Sequence, residues 1–297
     1  MPPQGISLEM ADFLERKITL GGSSFQVRLE GDGPALLMLH GYTGSIETMA
    51  SLSALLRKNF CVISIDLPGH GRTSVSGDSA GYTFSQCSDA LARILDELHI
   101  DKCFICGYSM GGRMSLVFTV NFPSRISALA TIGASGGIES GKKREQRKAE
   151  DENLARFIES EGIEAFVRRW LDHPLFASQK KLGKAFREKA YRQRLNNNPA
   201  SLACSLRGMG TGSQTPVYAG LGKIDLPMLF IAGKEDKKFC GLAQQLKRSC
   251  LQGHTRFIDG AGHAAHLENG DITAEAIAGF FQRFTKTVSY AKTKHQK

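Results

Sequence analysis

Residues Gly107-Tyr108-Ser109-Met110-Gly111-Gly112-Arg113 follow directly on the apolar run Cys103-Phe104-Ile105-Cys106. A serine with glycine two residues away on each side, between a strand and a helix, predicts a sharp turn that lifts the hydroxyl out of a sheet. Strand and helix pass too closely at such a bend for side chains, hence the glycines. A serine hydroxyl is a poor nucleophile or base until a histidine takes its proton and a carboxylate fixes the histidine's tautomer. Both partners follow in the chain. Asp236 ends Gly233-Lys234-Glu235-Asp236, just past the run Met228–Ile231. His263 lies in Gly260-Ala261-Gly262-His263-Ala264-Ala265-His266, just past Arg256–Ile258. Glu235 is the rival acid and His266 the rival base. His263 is preferred because it follows the glycine turn, whereas His266 already reads as helical.

Such a serine acts on a carbonyl only if backbone N–H groups meet the developing oxyanion. Met110, next after the serine, is expected to supply one donor. Tyr42, in the loop His40-Gly41-Tyr42-Thr43-Gly44, is expected to supply the other, and His40 to orient that loop. Arg113 stands one helical turn beyond Ser109 on the same face. Packing against a sheet favours a small residue there, so Arg113 reads as a two-pronged carboxylate ligand facing the pocket, the plainer alternative being an arginine that reaches solvent or pairs with a buried acid.

Positioning these groups requires strands that end together. Apolar, β-branched runs alternate with longer amphipathic stretches, the pattern of strand–helix units on a parallel sheet. Ile18–Leu20 and Phe25–Leu29 flank Gly21-Gly22 as an opening hairpin. Strands are expected at Ala35–Leu39, Phe60–Ile65, 103–106, Ile126–Ile132, Met228–Ile231 and Arg256–Ile258. Helices are expected from Phe84 to Leu98, from Met110 to Asn121, around Leu242–Cys250 and over Ile272–Phe284. Between Ser135 and Pro216 the alternation breaks into polar, helix-forming sequence that is too long for a bare loop. The expected organisation is a core from 1–134 and 217–286, a helical cap inserted at 135–216, and a solvated basic tail at 287–297. Serine, acid and histidine then all sit at the C-terminal ends of strands, where open α/β sheets bind ligands.

Composition narrows the function classes. Hydrophobic residues make up 41% of the 297, with 32 glycines besides, an ordinary globular composition. No run approaches the ~20 apolar residues of a membrane-spanning helix. The N-terminus lacks an apolar signal core, and Glu9, Asp12 and Glu15 spoil a transit-peptide pattern. A cytoplasmic location is expected, with a plastid the alternative if a leader has been removed. Seven scattered cysteines read as free thiols in a reducing compartment. Cys103 and Cys106 form C-x-x-C, but within a strand they point to opposite faces and read as core. No cluster has metal-ligand spacing, so neither metal nor cofactor is expected. The net charge is +9, with 15 Lys and Arg against 10 Asp and Glu between Glu139 and Arg194. An excess gathered in the cap favours a small anionic substrate over nucleic acid or a membrane surface.

The elbow, triad order and strand pattern resemble the α/β-hydrolase fold along essentially the whole chain. A closer resemblance rests on the elbow through Arg113, on Gly136-Gly137-Ile138 leading to Arg144-Glu145-Gln146-Arg147, on Trp170 with Pro174-Leu175-Phe176, and on Arg194-Leu195-Asn196-Asn197-Asn198. These resemble the 2-succinyl-6-hydroxy-2,4-cyclohexadiene-1-carboxylate synthases, lyases of menaquinone and phylloquinone biosynthesis. The resemblance implies elimination of pyruvate from a tricarboxylate cyclohexene, with Ser109, His263 and Asp236 acting as base. It implies that Arg113, Arg147 and Arg194 bind carboxylates and that Tyr108 and Trp170 line the pocket. Arg144, three residues before Arg147, is a candidate second contact. Tyr42 stands where that family more usually has Phe; since the backbone donates, little consequence is expected. Two readings compete, because fold does not fix chemistry. One is an esterase or carbon–carbon bond hydrolase acting on an anionic substrate. The other is a ligand-binding receptor built on the same scaffold.

Overall fold

The computed structural model describes residues 13–76 and 79–291. Strands β1 (Phe13–Leu20) and β2 (Ser23–Glu30) form the opening hairpin across Gly21-Gly22, longer at both ends than hydropathy indicates. After it come β3 (Gly33–Leu39), α1 (Ile46–Leu56), β4 (Cys61–Ile65), α2 (Phe84–Glu97), β5 (Cys103–Tyr108), α3 (Met110–Asn121) and β6 (Ile126–Ile132). Helices α4 (Gly141–Leu171), α5 (Gly183–Leu195) and α6 (Pro199–Met209) follow, then the short α7 (Tyr218–Leu221). The chain closes with β7 (Pro227–Gly233), α8 (Lys237–Arg248), β8 (Gln252–Ile258), the short α9 (Ala265–Glu268), α10 (Gly270–Phe281) and the two-residue strand β9 (Tyr290–Ala291).

The sheet runs in the order β1-β2-β4-β3-β5-β6-β7-β8. Strands β1, β2 and β4 meet antiparallel, and every other neighbour from β4 to β8 is parallel. Strands β4, β6 and β7 are buried along their whole length, as a sheet covered by helices on both faces requires. From β3 the chain steps outward to β4, then returns past β3 to β5. The direction of strand order therefore reverses between β3 and β5, and a crevice opens beyond their C-terminal ends. The loops carrying Tyr42 and Ser109 leave the sheet at that crevice.

Helix α1 was not among the expected elements, although Ile46, Met49, Leu52 and Leu56 recur at helical spacing and are buried. Strand β8 extends well before Arg256. Its exposed and half-buried positions alternate along the sheet edge, so Gln252, His254 and Thr255 pair fully with β7 while staying polar. The expected free tail is corrected at its start. Val288 is buried, Ser289 accepts from Ala35 N (2.9 Å) and donates to Lys102 O (2.8 Å), and β9 pairs with Gly33 and Pro34. The rest of that segment, 292–297, lies outside the described residues.

Between β6 and β7, helices α4 and α6 pack around their own cluster of Ala155, Ile158, Phe166, Val167, Leu202, Ala203 and Leu206, separate from the main core. Helix α4 breaks at Gly162, whose φ of 78° no helix accommodates. Asn198 caps α6, its side chain accepting from Ser201 N (2.9 Å), with Pro199 at the first helical position. Cys103 and Cys106 are both buried in β5, where burial pushes each thiol up to about 12. Among the described residues, no helix is long and apolar enough to cross a membrane.

Candidate active site

Ser109 links β5 to α3 with φ 51°, a left-handed conformation uncommon outside glycine. Its N–H donates to Ile132 O (2.8 Å) and its carbonyl accepts from Arg113 N (2.9 Å), which hold the strained residue in place. The flanking glycines are sterically required. A Cβ at Gly107 would stand 2.3 Å from Gly111 O, and one at Gly111 would stand 2.3 Å from Leu39 O.

His263 Nε2 lies 3.1 Å from Ser109 Oγ, and His263 Nδ1 lies 3.0 Å from Asp236 Oδ2. These partners assign the tautomer: Nδ1–H donates to the carboxylate and Nε2 accepts from the hydroxyl. Asp236 is itself oriented as the N-cap of α8, its Oδ1 accepting from Phe239 N (3.1 Å). The Phe239 ring packs 4.4 Å from the imidazole. Neither rival joins this chain of hydrogen bonds. Glu235 pairs with Lys181 instead (3.3 Å). His266 packs at a tilt 4.4 Å from the Tyr108 ring, and burial, with help from His263 and Arg194, lowers its pKa to about 3. It stays neutral.

The loop after β3 carries the second expected donor. Gly44 N–H closes a turn on Gly41 O (2.9 Å), and Tyr42 and Thr43 form its tip. His40 fixes the turn from below: Nδ1 donates to Gly41 O (2.8 Å) while Nε2 accepts from Leu67 N (2.9 Å). The Tyr42 hydroxyl donates to Leu202 O of α6 (3.1 Å), a contact that phenylalanine could not make. Met110 opens α3, so its N–H is one of the donors that no earlier turn of the helix can satisfy.

Tyr42, Ser109, Met110 and His263 line one cavity of about 310 Å³ between the sheet and α4–α6. Arg113, Arg147 and Arg194 line it too, with Tyr108 and Trp170. Arg113 is buried, donates to Gly210 O (3.2 Å) and lies over the Phe84 ring. Burial lowers its pKa to about 10, so it remains a cation. Arg194 is also buried, and desolvation shifts it downward as well. Arg147 is half-exposed and pairs with the buried Asp151 one turn on (2.8 Å). The Trp170 indole N–H is buried without an acceptor among the described residues. Arg144 is the exception: it donates to Ile138 O (3.0 Å) and is absent from the cavity wall.

The alpha/beta hydrolase fold family matches residues 34–270. A relative from Bacillus subtilis, a putative 2-succinyl-6-hydroxy-2,4-cyclohexadiene-1-carboxylate synthase, is 36% identical over 83% of this chain and 89% of its own. The chain belongs to this synthase family. It is an enzyme of the α/β-hydrolase fold. Another member, the synthase of Klebsiella pneumoniae, is 30% identical over 82% of this chain and 92% of its own. MenH from S. aureus superposes with a TM-score of 0.81 at 30% identity, covering 92% of this chain and 99% of that one.

Sequence reasoning missed three residues of this family member's site. Lys238 adds a fourth cation to the cavity wall, two residues past Asp236. The Glu268 side chain, shielded from solvent, accepts from Gly262 N (2.8 Å) and Ala264 N (3.3 Å), on either side of His263, and from Ser178 Oγ (3.0 Å). Its position one turn after the histidine loop was the available signal. Asn197, quoted above only as part of the Arg194–Asn198 motif, reaches Thr43 in the loop of Tyr42 across 154 residues of sequence.

Proposed function

We propose that this enzyme eliminates pyruvate from 2-succinyl-5-enolpyruvyl-6-hydroxy-3-cyclohexene-1-carboxylate to give 2-succinyl-6-hydroxy-2,4-cyclohexadiene-1-carboxylate, in the menaquinone and phylloquinone pathway. The reading is carried by one observation. The Ser109–His263–Asp236 hydrogen-bond chain opens onto a cavity walled by Arg113, Arg147 and Arg194. A tricarboxylate needs permanent cations with two-point geometry, which arginine supplies.

The ring hydrogen at C2 is acidified by the neighbouring succinyl carbonyl. Ser109 Oγ takes this proton while passing its own to His263 Nε2, and Asp236 stabilises the imidazolium. The electron pair moves onto the succinyl carbonyl as an enolate, held by the N–H groups of Tyr42 and Met110. It then returns through the ring: C2=C3 forms, C3=C4 shifts to C4=C5, and the bond from C5 to the enolpyruvyl oxygen breaks. The released enolpyruvate takes a proton and becomes pyruvate. No metal enters this scheme.

Pyruvate release from the true substrate, run beside a panel of simple esters, is the test. Ser109→Ala should reduce release by several orders of magnitude. Near-normal release from that variant removes Ser109 from the mechanism, and rapid ester hydrolysis without pyruvate release makes the protein a hydrolase instead.

A further inference from the structure

Thr43 sits at the tip of the oxyanion loop with φ 66°. A β-branched residue is a true outlier in that region. Such strain persists only where the surroundings over-determine it. Arg194, in the last turn of α5, and Asn197, in the α5–α6 connection, do so here. Arg194 Nε donates to Thr43 Oγ1 (3.1 Å), and Asn197 Nδ2 donates to Thr43 O (3.0 Å). The Asn197 amide is used on both sides: Nδ2 also reaches Arg194 O (3.0 Å), and Oδ1 accepts from Gly71 N (3.1 Å). Thr43, Arg194 and Asn197 are all buried, so these bonds form away from competing water.

Arg194 has a second allegiance. Its Nη1 goes to Ala190 O (2.8 Å), leaving Nη2 as the donor for a carboxylate in the cavity that Arg194 lines. One guanidinium therefore touches both the substrate space and the residue next to Tyr42. We propose that Thr43 is a positioning residue that couples a carboxylate held on Arg194 to the Tyr42 N–H that receives the enolate. The inference rests on the elimination chemistry above and adds a specificity device to it. Binding energy from a carboxylate remote from C2 is realised where charge develops, so it raises kcat rather than merely lowering KM. A substrate without that carboxylate would find the oxyanion loop less firmly set.

Pyruvate release by Thr43→Val and Asn197→Asp tests the coupling. Valine keeps the branched shape and loses the acceptor; aspartate keeps the shape and loses the donor. Each should lower kcat about 10–100-fold with KM within about twofold of wild type. Thr43→Ser, which restores the hydroxyl, should recover most of kcat. Thr43→Val added to Arg194→Met should lower kcat no further than Arg194→Met alone. Thr43→Ala replaces the valine variant if valine does not fold, with the same expected split. Wild-type kcat in the valine or alanine variant overturns the proposal, as does a serine variant equally impaired. Ser109→Ala in the same assay keeps the two ideas apart. Undiminished release there removes the base, whereas loss there with a fully active Thr43→Val removes only the coupling.

Discussion

Replacing Arg113 with methionine should make the protein more stable and a poorer enzyme. Burial lowers the Arg113 pKa from its ordinary value to about 10, so the fold pays for keeping this cation desolvated. A shift of that size corresponds to ~3 kcal/mol against the folded state. Two contacts offset part of it. The bond to Gly210 O returns ~1 kcal/mol, and the Phe84 ring under the guanidinium returns ~0.5–1 kcal/mol. Methionine fills similar space, keeps an apolar contact with Phe84, and leaves one carbonyl less well satisfied. The balance is a gain of about 1 kcal/mol, or ~1.5–2 °C in Tm for a chain of 297 residues. Activity should move the other way. Two charge-assisted bonds to a substrate carboxylate, at about 1.5–3 kcal/mol each, set a loss in kcat/KM of at least ~100-fold. Urea unfolding and pyruvate release on the same preparation measure both. A variant that is clearly less stable would show that Arg113 is a structural strut, and one with unchanged kcat/KM would retire it as a substrate contact.

Asp236→Asn should leave Tm nearly unchanged and lower kcat by about 10³–10⁴-fold, since the amide no longer holds the His263 tautomer; steady-state kinetics with a melting curve decide. His266 is neutral in the fold, with a pKa near 3 against 6.5 unfolded. Below pH 6.5 the unfolded chain takes a proton that the fold refuses, so stability falls as pH drops, by ~2 kcal/mol at pH 5. His266→Phe should escape that loss, and equal shifts in urea midpoint between pH 7.5 and pH 5 in both proteins would contradict the assignment. Glu268→Gln weakens acceptance from the amides flanking His263 and breaks the ion pair with Lys181 (3.3 Å). Both Tm and kcat should fall, and full activity would show that the histidine loop is set without it.

The fold was legible where burial imposes a simple pattern. Strands such as Ile126–Ile132 are mostly apolar and buried along their whole length, and their alternation with amphipathic helices gives a parallel sheet directly. Ser109, Asp236 and His263 could be read because each follows a strand end, and the glycines at 107 and 111 carry a steric signature. Legibility failed where pairing rather than hydropathy decides structure. β8 lies at the sheet edge, and β9 is only two residues that complete the start of β3. The three arginines reach one cavity, but the sequence shows neither that Asp151 pairs with Arg147 nor that Arg144 turns back to Ile138. Both contacts are local, four and six residues apart; which arginine reaches the cavity is set by how α4 packs against α6.

The insertion is pegged to the core at the two loops that the proposed elimination uses. Ser178 and Lys181 meet Glu268 beneath the histidine loop, and Arg194 and Asn197 meet Thr43 in the oxyanion turn. The lid and the base of this molecule are therefore not interchangeable modules. A chimera that grafts a foreign lid onto this scaffold inherits an intact Ser109 but loses the braces on both sides of it. Such a hybrid needs matching pegs transplanted with the lid before its altered pocket can be judged.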